Sequence, residues 1–145
     1  MLHRHHVLAG LCLALVAAAP AFAAAPASLT VDEWNKPDGS QGITLSTDHI
    51  KAGKVTVTVK NNSADEVHEL LLVRTAMAPD AFPTEADNPA KVDEAQLTGL
   101  DEIGDVAPGK SISKTVSLKP GTYMLFCNQP GHFMAGMHSM LTVTQ

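Results

Sequence analysis

Hydrophobic and polar positions alternate along much of this chain. From Gly53, in GKVTVTVKN, Val55, Val57 and Val59 alternate with Thr56, Thr58 and Lys60. A period of two in β-branched residues predicts a half-buried strand. Asn61-Asn62-Ser63 then supplies turn chemistry. Val67 to Arg74, VHELLLVR, is a mostly apolar run that suits a strand buried on both faces. SISKTVSL, Ser111 to Leu118, alternates again, and Pro120-Gly121 turns the chain into GTYMLFC, which ends at Cys127. SMLTVT, from Ser139, closes the pattern, and SLTV (Ser28 to Val31) and GITLS (Gly42 to Ser46) are shorter candidates.

Several short strands separated by turn signals predict an all-β sandwich or barrel. Thr75 to Gly109 breaks the pattern. It holds Pro79, Pro83, Pro89 and Pro108, several acids and few β-branched residues. This segment reads as a long irregular or partly helical insertion, with a helical turn or two in VDEAQL, Val92 to Leu97. Such a connection is often functional or packed across a sheet edge.

The N-terminus lies outside the strand pattern. Arg4 and three histidines precede the apolar run VLAGLCLALVAAA, followed by Pro20 and AFAAAPAS. A basic start, a short apolar middle and an A-x-A site predict a secretory signal over 1–23, cleaved before Ala24. Residues 24–145 then form a single domain. Removing Arg4 and no acid takes the net charge from −5 to −6. A mildly acidic chain without a basic cluster argues against nucleic acid and suits a partner with a basic face. The expected location is exported, most readily the periplasm, with no membrane span left after signal removal.

Export makes the cysteine count informative. The chain has two cysteines, and the signal carries Cys12 away. Cys127 therefore has no intramolecular disulfide partner. In an oxidising compartment such a thiol is buried, paired between chains or bound to something.

Cys127 opens CNQPGHFMAGM, a turn-rich loop ending at Met137. Pro130-Gly131 and Gly136 bend it so that Cys127, His132 and Met137 can face one point. Of the remaining histidines, His68 near the start of the buried strand needs a polar or metal partner. His49 beside Asp48 reads as solvated, and His138 as a surface residue. A thiolate, two imidazoles and a weak thioether form the ligand set of a type 1 copper site, which favours rapid one-electron transfer. Other readings remain open: an inert buried cysteine, a zinc site, and a Cys–His hydrolase. Zinc prefers a stronger fourth ligand than Met. A hydrolase needs an orienting residue and an oxyanion hole that the sequence does not display.

With these residues in view, the chain resembles the cupredoxins, the blue copper proteins. The resemblance runs from about Gly42 to the end and rests on AGKVTVTVKN, His68, LKPGTYMLFC and CNQPGHFMAGM. The Cys-x4-His-x4-Met spacing looks most like that of rusticyanin. The resemblance implies a Greek-key sandwich holding one copper ion, with His68, Cys127 and His132 as equatorial ligands and Met137 as axial ligand. It also implies a one-electron carrier rather than an enzyme, serving a redox partner protein. A copper carrier delivering the ion to a copper-handling protein is the alternative, suggested by Met134, Met140 and His138 near the loop. One departure stands out. Many small cupredoxins carry Asn directly after the first His, where this chain has Glu69, and Asn128 is a candidate to tie the loops together instead. Phe133 is read two ways, as part of an apolar rim around His132 with Pro130, Met134 and Ala135, or as a plug in the end of the core.

Overall fold

The computed structural model describes residues 25–145; the expected signal segment, 1–23, lies outside them. Nine strands form two sheets: β1 Ala27–Asn35, β2 Gln41–Leu45, β3 His49–Lys51, β4 Gly53–Asn61, β5 His68–Arg74, β6 Leu100–Val106, β7 Ser111–Leu118, β8 Gly121–Phe126 and β9 His138–Thr144. The first sheet runs β2-β1-β4-β7 and the second β3-β9-β8-β5-β6. Neighbours distant in sequence, with β1–β4 and β3–β9 parallel, give the Greek-key sandwich that the alternating pattern and the resemblance implied.

Alternation sorts the side chains into two cores. Leu29, Val31, Val55, Val57 and Val59 of the first sheet meet Leu70, Leu72, Leu125 and Leu141 of the second, and all are buried. The intervening residues of β5 and β8, namely Leu71, Val73, Met124 and Phe126, build a separate cluster with Phe82, Val92 and Phe133. Strand β5 is therefore buried on both faces, as its apolar run requires. The second cover is the long connection after Arg74. Pro79–Ala81 and Glu94–Gln96 are single 3-10 turns, and Thr84 bridges Val92. Full burial of each large apolar side chain contributes roughly 1.5–3 kcal/mol, so the connection is a structural layer of the domain.

Two strands depart from the sequence reading. β6 occupies what was expected to be irregular chain up to Gly109. Asp101, Glu102 and Asp105 dilute its apolar signal because β6 is an edge strand, where charge blunts further pairing. Its register slips opposite Leu70 and Leu71, with Ile103 as the extra residue and Gly104 at φ 128°. β3 is three residues long, too short for periodicity to register. Met140, within β9, is exposed.

Candidate metal centre

The copper-type residues converge at one end of the sandwich. His68 opens β5, where its pairing with Val106 and the inward phase shared with Leu70 and Leu72 turn the imidazole into the space between the sheets. Cys127 follows β8, its backbone N–H donating to the Met137 carbonyl at 3.0 Å. Between them the loop is wound tightly. His132 N–H donates to the Gln129 carbonyl and Met137 N–H to the His132 carbonyl, both at 3.0 Å. Gly131 (φ 84°) and Gly136 (φ 100°) take backbone angles that side chains with a Cβ resist.

Three donor atoms form a small triangle. His68 Nδ1 lies 3.2 Å from His132 Nδ1, Cys127 Sγ 3.5 Å from His132 Nδ1, and Cys127 Sγ 4.0 Å from His68 Nδ1. Donors arranged trigonally about 2.0–2.3 Å from one ion stand roughly 3.5–4 Å apart; both sulfur–nitrogen distances fall in that range, and the two nitrogens lie slightly closer. Met137 is fully buried in the inner core beside Cys127. His68 and Cys127 are wholly enclosed, whereas His132 keeps some exposure.

The electrostatics favour a metal over free titrating groups. Burial, then the neighbouring His132, pulls the His68 imidazole down to about 4, with Glu66 opposing. Burial also lowers His132. Both rings are therefore neutral at pH 7, the form that ligates. Burial pushes the Cys127 thiol up to about 12, against backbone N–H groups of Glu69 and Gln129 that favour the thiolate. Without a cation this thiol is an inert nucleophile at neutral pH; a bound metal deprotonates it. The Glu69 N–H donates to Cys127 Sγ at 3.4 Å, a contact that stays in place for a thiolate.

The surrounding residues sharpen the sequence reading. The Glu69 carboxyl sits with Glu94, Asp105 and Glu102, and burial followed by these charges raises it to about 7. Asn128 does tie the loop down, but to the long connection: its side chain bonds Val92 and Glu94. The loop entering His68 is held by Asn61, whose amide donates to the carbonyls of Glu66 and Val106 at 2.8 Å and whose oxygen accepts from Ser63. The sequence reading had taken Asn61 as turn chemistry alone. It had also ended the first strand at Val31; β1 continues, and the next inward position places Glu33 in the core. Following the alternation two residues further would have found it.

Phe133 belongs to the plug. It is buried against Phe82 and Phe126, with ring centroids 5.2 and 5.5 Å away, and does not line the rim. Pro130, Met134 and Ala135 are the exposed apolar residues beside His132. His138 is half-buried rather than a surface residue, its ring 5.2 Å from that of Phe133. His49 is exposed and bonded to Asp48, as expected.

Residues 39–144 match the sequence model of the copper binding proteins of the plastocyanin/azurin family. This chain belongs to that family. It is a cupredoxin with one type 1 copper. Solved structures agree in fold. Dithionite-reduced auracyanin from Roseiflexus castenholzii is 21% identical with a TM-score of 0.53, over 85% of this chain and 100% of that one. Auracyanin A from Chloroflexus aurantiacus, described as a "blue" copper protein, is 24% identical with a TM-score of 0.54, over 83% and 100%. Rusticyanin from Thiobacillus ferrooxidans is 20% identical with a TM-score of 0.55, over 81% and 76%. A search of curated proteins gave no match. Among the described residues, no helix is long and apolar enough to cross a membrane.

Proposed function

We propose that this cupredoxin is an exported one-electron carrier, with His68, Cys127 and His132 as equatorial copper ligands and Met137 as the axial ligand. The observation that carries the reading is the enclosed triangle of two imidazole nitrogens and a thiol sulfur. Copper supplies the one-electron couple. The chain's own task is to keep the donors in place, so that ligand movement between oxidation states is small. The tightly bonded 127–137 loop and the Asn128 tether serve that end. Electrons would pass at the partly exposed His132 edge, where Pro130, Met134 and Ala135 permit a brief, low-area encounter. The basic start and A-x-A site of the N-terminus support export, and periplasm is the compartment that suits a buried, unpaired Cys127.

Copper delivery to a partner is the second reading, favoured by the exposed thioether of Met134. The enclosure of His68 and Cys127 weighs toward an ion that is held. Optical and EPR spectra of the Cu(II)-loaded protein test the copper site. An intense blue or green thiolate band that disappears in Cys127→Ala is expected; a colourless protein with an ordinary copper EPR spectrum would refute it. A chelator challenge separates the roles: a shuttle keeps its copper through repeated reduction and oxidation, whereas a carrier releases it quickly.

A further inference from the structure

Buried polar atoms are nearly always hydrogen-bonded, so the exceptions carry information. Among the described residues, three buried side-chain atoms lack a protein partner: both carboxylate oxygens of Glu33 and Nε2 of His68. Both residues are fully enclosed. They belong to opposite sheets, yet the topology brings them to the same end of the sandwich. Glu33 is in register with Asn61 on the neighbouring strand β4. The Asn61 amide crosses the sandwich to the carbonyl of Val106, and Val106 is the register partner of His68. Both side chains occupy inward positions of their strands, in phase with Leu29 and Val31 on β1 and with Leu70 and Leu72 on β5.

An isolated buried carboxyl costs several kcal/mol, which a purely structural position would save with a leucine. An imidazole that ligates a metal through one nitrogen ordinarily gives its other N–H to a carboxylate, carbonyl or water. His68 turns Nδ1 toward Cys127 and His132, which leaves Nε2 as the donor in need of an acceptor. We propose that Glu33 is the positioning residue for the copper ligand His68, receiving its Nε2–H through one buried water. Two carboxyl oxygens and one ring nitrogen give that water the polar partners it needs. A carboxyl group offers an accepting oxygen whether or not it is protonated, so the contact does not depend on titration. Its effect is to fix the tautomer with Nδ1 free for the metal, to hold the ring plane, and to raise the basicity of the imidazole, which favours Cu(II). Glu33 acts through the imidazole and does not touch the metal.

The inference rests on the copper site proposed above, and its test is separable from that one. In the full-length copper protein, 15N-edited NMR of the reduced form reads the His68 Nε2–H directly, and voltammetry reads the potential. The wild type should show a downfield, slowly exchanging Nε2–H. Glu33→Gln, which keeps an accepting oxygen, should retain that signal with a small rise in potential. Glu33→Leu should lose the signal and raise the potential further. A wild-type Nε2–H at the shift of a ring without an acceptor overturns the proposal, even if Glu33→Leu fails to fold. An unchanged signal and potential in both variants overturns it as well. A protein with no blue colour refutes the copper reading; a blue protein with an indifferent His68 refutes this inference alone.

Discussion

Asn128 clamps Val92. Its side-chain oxygen accepts from the Val92 N–H at 2.7 Å and its amide donates to the Val92 carbonyl at 3.0 Å, so one side chain pairs with both backbone groups of a buried residue. The same amide reaches Glu94 at 2.7 Å. The residue after Cys127 is thereby fastened to the connection that covers the outer face of the second sheet.

Asn128→Ala should cut that tie. It leaves the Val92 N–H and carbonyl buried without partners, at about 1–3 kcal/mol for each group left unsatisfied. A lower denaturation midpoint and a broadened thiolate-to-copper band are expected. Equilibrium unfolding and the optical spectrum check both, and an unaltered midpoint would contradict the clamp.

Phe133→Ala probes the plug. Phe133 is only 2% exposed and packs against two other phenylalanines. Removing a buried aromatic side chain costs about 3–5 kcal/mol. Met134→Ala, at a residue 53% exposed, should leave stability within about 0.5 kcal/mol and change the rate of electron exchange with a partner. Denaturant melts of the two variants separate core from rim.

Met137→Leu should keep the thiolate colour and raise the potential. Leucine fills a similar volume in the inner core, so folding persists. Losing the proposed thioether contact removes electron donation that favours Cu(II). Voltammetry of the variant checks the direction, and an unchanged potential would exclude Met137 as the axial ligand.

The contribution of Glu33 to the stability of the metal-free protein should fall as pH rises, opposite in sign to that of the depressed His68. Burial, followed by the charge of Glu69, lifts the Glu33 carboxyl from 4.5 to about 8. Between these values the folded chain holds a proton that the unfolded chain has released. The contribution of Glu33 is thus fully present below about pH 4.5 and declines toward pH 8, by about 1.4 kcal/mol per pH unit at most. Glu33→Gln should flatten this part of the profile, leaving the variant relatively more stable at high pH. Urea melts of the metal-free wild type and variant at matched pH values provide the check.

Sequence alone determined the all-β class and marked the candidate ligand positions, because both are local signals. Period-two alternation marks a half-buried strand wherever it occurs, and Cys127, His132 and Met137 lie within one loop whose turns are written in Pro130, Gly131 and Gly136. His68 was legible because an imidazole in an apolar strand needs a partner. Tertiary structure decided what depends on residues distant in the chain. The edge strand β6 gains its identity only from pairing with β5, since its acids hide the alternation. Phe133 sits in the plug because the long connection builds a second core for it. Asn128 and Asn61 find their partners 36 and 45 residues away, beyond any pattern of spacing. Glu33 is the clearest case: as a letter in a strand it is an ordinary acid, and only the closing of two sheets encloses it at the end of the sandwich that holds His68.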